Sequence, residues 1–202
     1  MTARSTTVSR ARPRDKGRRG LVLAAAVVLG VLGAFGISRI DEIGGQLREL
    51  TLPLRHDDII RQQAGDKGLD PALIAAVIYA ESRFQDQTSH AGARGLMQIT
   101  PETAEVIERE SGGTTFVVQD LADPDINIAY GSFYLGYLLE KYRGNEVAAL
   151  AAYNAGETRV ERWGGAELDV DDIGFDETHA YVEQVLDKRG EYREHYADDL
   201  GL

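Results

Sequence analysis

The feature that constrains this chain most is an uninterrupted apolar stretch that ends on a carboxylate. Asp70 is a favourable N-cap and Pro71 suits the first helical position, and residues 72–80 hold only apolar side chains and one tyrosine. A helix that is apolar on every face belongs in the middle of a domain. We therefore predict a buried helix over 71–82, with Glu81 near its end.

Glu81 is a candidate proton donor. Val77 and Ile78 precede it by four and three residues and lie on the same face of the helix. Loss of solvation there favours the neutral carboxyl group, and an acid that keeps its proton near neutral pH can serve as a general acid. The alternative is a glutamate that reaches solvent and has no role. The burial pattern by itself leaves both interpretations open.

A series of short motifs runs from Glu81 towards the end of the chain. They are E-S-R-F at 81–84, G-A-R-G-L-M-Q-I at 92–99, D-P-D-I-N-I at 123–128, A-Y-N-A-G at 152–156 and E-T-H-A-Y-V at 177–182. In composition, order and spacing these motifs resemble the lytic transglycosylases of the soluble (SLT) type. The resemblance covers about residues 56–196 and none of the chain before them.

The resemblance implies a mainly α fold, the lysozyme-like helical domain of goose-type lysozymes and SLT enzymes, with at most a minimal β element. Apolar periodicity, caps and glycines predict the further helices and loops directly. The predicted helices are 57–67, 101–110, 125–142, 146–153, 157–163 and 177 to about 196, and the loops are 83–95 and 164–176. A β-branched run at 114–118 is the one candidate for a strand.

The same resemblance assigns roles to individual side chains. It implies that Glu81 is the catalytic acid, that Ser89 orients it and that Tyr181 packs beneath or beside it. The other residues implied to bind glycan in the cleft are Met97, Gln98, Tyr153, Asn154 and Glu177. Taken alone, Tyr153 would more often be a core aromatic residue, and Glu177 a carboxylate placed to suit the helix dipole.

The implied reaction is cleavage of peptidoglycan between N-acetylmuramic acid and N-acetylglucosamine without water, which leaves a 1,6-anhydro end. Glu81 would act first as acid and then as base. Goose-type lysozymes carry an aspartate directly after their M-Q-V stretch, where this chain has Thr100, and Asp86 reads as solvated surface. The alternatives are a hydrolytic muramidase of the goose type and a non-catalytic scaffold that binds the cell wall.

Two polar or aromatic residues have a structural interpretation beside the functional one. Asn127 either supports the site or, as we prefer, is a buried residue that satisfies backbone groups. Trp163 either stacks on sugar or, more often for a lone tryptophan, packs inside the domain. Gly131 and Gly136 reduce helix propensity, so we expect close helix packing at these positions.

The sequence before the domain predicts a membrane anchor. Residues 1–20 carry seven lysines and arginines beside a single acid and should be a disordered cytoplasmic tail. A stretch without charge runs from Leu21 to Ile37, about 25 Å of helix, and with Ser38 the predicted membrane-spanning segment is 21–38. We favour an uncleaved signal anchor over a signal peptide, with the domain outside the cytoplasm. Residues 39–55 are then a connector and 197–202 a tail.

Composition excludes several classes of partner. The net charge is −11, and once residues 1–20 are set aside the rest of the chain carries an excess of 17 acidic charges. We therefore expect no nucleic-acid binding. The chain lacks cysteine, so it forms no disulfide and has no lipoprotein anchor. Its four histidines show no metal-ligand spacing and it has no phosphate-binding glycine loop, so we predict no metal and no cofactor.

Overall fold

The computed structural model of the chain describes residues 49–112 and 118–202, and these are mainly helical. The helices are α1 (Asp57–Lys67), α2 (Pro71–Ser82), α3 (Pro101–Ser111), α4 (Pro124–Lys141), α5 (Glu146–Ala155), α6 (Glu157–Trp163), α7 (Asp176–His195) and α8 (Ala197–Leu200). Short 3-10 turns occupy Val118–Ala122, Gly165–Glu167 and Val170–Asp172. The described part contains no strand longer than an isolated bridge. A mainly α fold is therefore confirmed.

Helix α2 lies at the centre of the domain, as its sequence predicts. Every residue from Ala72 to Tyr79 is buried, and the helix packs chiefly against α7. Each of the larger aliphatic side chains on it gains about 1.5–3 kcal/mol from leaving water. This burial fixes the position of the helix end, which is where Glu81 lies.

Side-chain caps explain where the helices begin. Asp70, Thr100, Asp123 and Asn145 each accept a hydrogen bond from a backbone N–H in the first turn of the helix that follows. Such a cap stabilises a helix by about 1 kcal/mol. The predicted bounds of α1, α2 and α6 match the structure, and most of the others differ by one residue. Helix α5 runs two residues further than predicted, to Ala155.

The two ends of the described region differ from the prediction. Leu52 is buried, and the hydroxyl groups of Tyr192 and Tyr196 donate hydrogen bonds to the carbonyl oxygens of Pro53 and Leu52, at 2.6 Å and 2.8 Å. Residues 52–54, part of the predicted connector 39–55, therefore pack on the domain. Residues 197–202 were predicted to be a tail, yet they include α8, in which Leu200 is buried against the core.

Other expectations concern residues outside the described ranges. These are the tail 1–20, the membrane-spanning segment 21–38, the connector as far as residue 48, and the candidate strand 114–118 except Val118, which begins a 3-10 turn. Within residues 49–112 and 118–202, no helix is both long and apolar enough to cross a membrane.

Candidate active site

Glu81 is held at the end of α2 with its carboxylate facing a cavity. The side chain is half-buried, and its Oε1 accepts a hydrogen bond of 2.8 Å from the hydroxyl group of Tyr181 on α7. Burial raises the pKa of Glu81 from an ordinary value of 4.5 to about 7, while the hydrogen bond from Tyr181 acts in the opposite direction. Glu81 therefore retains its proton to near neutral pH and can donate it there.

The cavity in front of Glu81 has a volume of about 750 Å³. Four of the residues predicted for the site line it together: Glu81, Asn154, Glu177 and Tyr181. Glu177 is exposed in the first turn of α7, where a carboxylate suits the helix dipole. Asn154 and Thr178 join the end of α5 to α7, because the Thr178 hydroxyl group donates to the Asn154 side-chain oxygen at 2.8 Å.

The loop that follows α2 is tied to α2 and α5 by side-chain hydrogen bonds. The hydroxyl group of Ser82, next to Glu81, donates to the carbonyl oxygen of Leu96 at 2.7 Å. Tyr153 on α5 donates to the carbonyl oxygen of Met97 at 3.0 Å. Gln98 has a positive φ of 47°, and its side-chain amide donates to the carbonyl oxygens of Gly95 and Gln87. The loop is therefore held in one shape beside Glu81.

Asn127 holds this loop from beneath. Its side chain is fully buried, accepts a hydrogen bond from the Met97 N–H at 2.7 Å, and donates to the carbonyl oxygens of Arg94 and Leu121 at 2.9 Å and 3.0 Å. A Cβ atom on Gly95, whose φ is +74°, would lie 2.2 Å from the Asn127 side-chain nitrogen. The prediction of a buried asparagine that satisfies backbone groups is confirmed, and a glycine at 95 is required by the same contact.

Met97 was predicted to bind glycan, and the structure corrects this. Its side chain is fully buried, so it packs in the core and presents no surface to a ligand. Its sulfur fills the space beside Gly131, where an added Cβ atom would come within 2.3 Å. The expected close packing is therefore found at Gly131. At Gly136 it is not found, because an added Cβ atom would lie 3.9 Å from the nearest atom, which is an ordinary contact distance. Met97 shapes the site through its backbone.

Ser89 lies in the loop and does not have the predicted hydrogen bond to Glu81. Its hydroxyl oxygen accepts from the N–H of Ala93 at 3.1 Å, and its own N–H donates to the carbonyl oxygen of Ala93 at 2.9 Å. Among the described residues, the side-chain hydrogen bond to the Glu81 carboxylate comes from Tyr181 instead. Ser89 therefore stabilises the turn, and the orienting contact comes from a helix about a hundred residues further along the chain.

Tyr153 lies close enough to Glu81 for the charge of Glu81 to affect the pKa of its phenol group. Burial, and after it the negative charge of Glu81, raise the pKa of Tyr153 well above its ordinary value. Tyr181 shows the same two leading causes and the same direction. Both phenols therefore remain protonated while Glu81 titrates, and each keeps its hydroxyl proton for a hydrogen bond.

Trp163 is half-buried and packs against the hydrophobic core. Its ring meets Phe175 edge to face at 5.2 Å between centroids, and a Cβ atom on Gly174 would lie 2.4 Å from its indole nitrogen. Thr100 caps α3 with its side chain, so the position at which a goose-type lysozyme has an aspartate serves a helix terminus here. In the ranges 49–112 and 118–202 no group of three or more acidic or histidine side chains converges as a metal site would require.

Three residues that matter to the site are missing from the sequence-based prediction. Ser82 and Thr178 each make the hydrogen bonds described above, and both directly follow a glutamate of a motif. Lys188 lines the cavity and binds Glu191 through two contacts of 2.9 Å and 2.8 Å. Lys188 lies on α7 eleven residues after Glu177, a spacing that puts both residues near one face of a helix. This spacing could have identified Lys188 as a residue of the same site.

Comparison with known proteins gives consistent matches to this region. The profile of the Transglycosylase SLT domain family matches residues 58–173. The soluble lytic murein transglycosylase of Escherichia coli K12 is 34% identical over 154 residues, which are 72% of this chain and 24% of that protein. Membrane-bound lytic murein transglycosylase F of Desulfosudis oleivorans is 36% identical over 152 residues, 71% of this chain and 31% of that protein.

Solved structures share the fold. An inactive Glu-to-Gln mutant of lytic transglycosylase Slt from Pseudomonas aeruginosa superposes with a TM-score of 0.67 at 35% identity, covering 73% of this chain and 25% of that one. The 70 kDa soluble lytic transglycosylase of Escherichia coli gives 0.68 at 33% identity, with 75% and 26% covered. The 70 kDa soluble lytic transglycosylase has also been solved in complex with bulgecin A. The present chain spans about a quarter of the length of the first relatives and structures it matches.

Proposed function

Since this chain belongs to the family of Transglycosylase SLT domains, we propose that it is a peptidoglycan lytic transglycosylase. Its reaction would cleave the β-1,4 bond from N-acetylmuramic acid to N-acetylglucosamine without water and leave a 1,6-anhydro end. The observation that carries the proposal is the state of Glu81, a half-buried carboxyl group with a pKa of about 7 on the wall of a 750 Å³ cavity. The named relatives are lytic transglycosylases, which supports the same reaction class.

Glu81 acts twice in this proposal. In its protonated form it donates the proton to the glycosidic oxygen as the bond to the muramic acid carbon breaks. The N-acetyl group of the substrate stabilises the positive charge that develops at that carbon. The resulting carboxylate then accepts the proton of the 6-hydroxyl group as its oxygen closes the 1,6-anhydro ring. Glu81 donates one proton and later accepts one, so it returns to its starting state and the mechanism requires no second carboxylate.

Glu177, Asp187 and Glu191 line the same cavity as Glu81, but none of them contributes to the shift of its pKa. Within the described residues, burial and the Tyr181 hydrogen bond are the causes of the shift in its pKa. Most glycosidases use two carboxylates, the second as base or nucleophile.

In this chain we assign the orienting role to Tyr181 in place of Ser89, and binding of glycan to Asn154 and Glu177, which line the cavity. Gln98 and Tyr153, whose side chains bond to the backbone of the loop after α2, do not line it, and we propose that they bind glycan beside it.

We also propose that residues 21–38 anchor the chain in the membrane, with residues 1–20 in the cytoplasm and the domain outside it. The support is the sequence: a long stretch without charge follows a basic block. A domain on the outer side of the membrane is on the same side as the cell wall. Relatives of this chain include soluble as well as membrane-bound transglycosylases.

Mass spectrometry of the products distinguishes the possible activities. The 202-residue chain is incubated with purified peptidoglycan, and the masses of the released muropeptides are measured. Ends of 1,6-anhydro-muramic acid support the transglycosylase. Reducing ends, which contain one additional water, would instead establish a hydrolase, and binding with no product would establish a scaffold.

Replacing Tyr181 by phenylalanine should raise the pKa of Glu81 further. The hydroxyl group of Tyr181 stabilises the carboxylate, and its removal therefore favours the protonated acid. Because the reaction begins from protonated Glu81, the alkaline limb of the profile of kcat/KM against pH should move to higher pH. Tyr192→Phe is the matched control, since that hydroxyl group bonds to Pro53 at the other end of α7. A profile that moves to lower pH, or not at all, contradicts the assigned role of Tyr181.

A further inference from the structure

Two side chains that meet at the edge of the Glu81 cavity differ in their exposure. Asn154, in the last turn of α5, is exposed and lines the cavity. Thr178, in the first turn of α7, is only 2% exposed and is not part of the cavity wall. The Thr178 hydroxyl group donates a hydrogen bond of 2.8 Å to Oδ1 of Asn154. A buried hydroxyl group therefore holds one end of a side chain that faces the site of the reaction.

This hydrogen bond decides which end of the Asn154 amide is free. An asparagine amide has an oxygen that accepts hydrogen bonds and a nitrogen that donates two, and half a turn of the amide exchanges their places. Since Oδ1 is held by Thr178, the nitrogen is the free end. Among the residues that the structure describes, this nitrogen donates to no protein group. Asn154 therefore offers a donor to a molecule in the cavity.

Thr178 is bound to this role by its own burial. Its hydroxyl group has one hydrogen to donate, and because the side chain is buried it cannot turn to water instead. Leaving such a group without a partner costs about 1–3 kcal/mol. Tyr181, which donates to the carboxylate of Glu81, lies three residues further along α7. One turn of α7 thus fixes both the acid and the amide beside it.

We propose that Thr178 is a positioning residue that fixes Asn154 as a hydrogen-bond donor to an acceptor oxygen of the glycan bound at Glu81. The inference rests on the proposed function, in which Asn154 binds glycan, and it adds the direction of that contact and the residue that sets it. An amide that is already held in one orientation loses less freedom when the glycan binds, which favours the complex.

Binding without turnover gives the first test. A β-1,4-linked hexamer of N-acetylglucosamine is titrated by calorimetry into the 202-residue chain with Glu81→Gln, the parent chain of this experiment. Adding Thr178→Val removes the hydroxyl group, keeps the shape and should weaken binding about 2–10-fold, the effect of one neutral hydrogen bond. Thr178→Ser should bind as the parent does. Thr103→Val is the matched control, since it removes a hydroxyl group of α3 that does not line the cavity.

Asn154→Asp tests the direction of the contact. The carboxylate can still accept from Thr178, but it has no hydrogen to donate to the glycan. We expect the affinity for the hexamer to fall at least as far as in Thr178→Val. Affinity equal to that of the parent chain, or higher, would mean that the glycan donates to residue 154, and it overturns the inference.

A pair of backgrounds shows whether Thr178 acts through Asn154. Once Asn154 is replaced by alanine, the further change Thr178→Val should leave the affinity for the hexamer unchanged, because the group that Thr178 positions is gone. If Thr178→Val weakens binding equally with and without the asparagine side chain, Thr178 acts by another route and the inference fails.

The kinetics of the chain with native Glu81 separate positioning from damage to the helix. Thr178→Val should raise KM for peptidoglycan and leave kcat unchanged, as loss of a binding contact does. The alkaline limb of the pH profile should also stay in place, since a disturbed first turn of α7 would move Tyr181 away from Glu81 and shift that limb. A shifted limb, or a Thr178→Ser variant that does not recover the wild-type KM, overturns the inference.

The hexamer titration also separates this inference from the proposed reaction. If the chain releases no anhydro product from peptidoglycan, the proposed reaction fails, yet the titration still decides whether Thr178 positions Asn154 for a glycan. If the parent chain does not bind the hexamer, the role of Thr178 is overturned whatever the products are.

Discussion

Glu81→Gln is expected to lower the turnover of peptidoglycan by at least roughly 10²–10⁴-fold, the part of the rate that general acid catalysis contributes. Glutamine has nearly the same shape and can still accept the hydrogen bond from Tyr181, but it carries no proton to donate to the glycosidic oxygen. The loss should appear in the yield of 1,6-anhydro muropeptides per unit time at saturating substrate. The release of hydrolytic products should not replace them.

The same variant should change stability in a direction set by the pKa of Glu81. The folded-state pKa of about 7 lies above the ordinary value of 4.5, so the native state binds the proton more tightly than the unfolded state does. The stability that this proton contributes is fully present below pH 4.5 and is lost as the pH rises through 7. The stability of Glu81→Gln should not show this decrease as the pH rises, because glutamine does not titrate. We expect this variant to be about 1–3 kcal/mol more stable than the wild type at pH 8 and equally stable at pH 4.

Controls separate the chemistry of Glu81 from its effect on the fold. Glu194→Gln, an exposed change on α7, should alter neither turnover nor the pH dependence of unfolding. Circular dichroism and urea unfolding at both pH values report whether the Glu81 variant keeps its structure. Turnover near the wild-type level in a folded Glu81→Gln would remove Glu81 from the mechanism and direct attention to the other acids of the cavity.

Asn127→Ala is expected to destabilise the domain by about 3–5 kcal/mol, a large share of the free energy of unfolding of a domain of this size. The side chain makes three hydrogen bonds with backbone groups: the N–H of Met97 and the carbonyl oxygens of Arg94 and Leu121. The Arg94 carbonyl oxygen also accepts from the N–H of Ile99, so the variant leaves the Met97 N–H and the Leu121 carbonyl oxygen as the orphaned groups. Each orphaned group costs about 1–3 kcal/mol. Urea unfolding at neutral pH measures the difference.

The effect on activity should exceed the effect on stability alone. The loop at 94–98 lies beside Glu81 and derives its shape from Asn127, so turnover should fall even at temperatures where the variant is folded. Ser132→Ala is the matched control on the same helix, because the buried Ser132 hydroxyl group has no hydrogen-bond partner among the residues that the structure describes. Its removal should leave stability unchanged or slightly higher. If Asn127→Ala were no worse than Ser132→Ala, the loop would be held by other contacts.

The helices could be predicted from the sequence because their limits are encoded locally. Asp70, Thr100, Asp123 and Asn145 are caps that act on the next few residues, so a short window is enough to recognise them. Complete burial of α2 could be predicted for the same reason, since its apolar character extends around every face. The raised pKa of Glu81 follows from that burial and agrees with the sequence interpretation.

The contacts within the site could not be predicted in the same way. The partner of Glu81 is a hydroxyl group a hundred residues away, and no local pattern distinguishes Tyr181 from Ser89 as its donor. Met97 belongs to a motif that lines a cleft, yet its side chain turns into the core because Gly131 on a distant helix leaves room for it. Residues 197–202 are polar enough to suggest a tail, and they are attached to the domain by the burial of Leu200 and by a hydrogen bond from the Arg61 guanidinium group to the carbonyl oxygen of Asp199.

The bonds from Tyr192 and Tyr196 to the carbonyl oxygens of Pro53 and Leu52 have a consequence for how this domain can be combined with others. They hold the two termini of the described unit side by side. A module whose ends meet can be inserted into a surface loop of a host protein without spreading that loop apart. Grafting residues 49–202 into such a loop should therefore preserve the folding of both partners and place the Glu81 cavity at a chosen position on another scaffold.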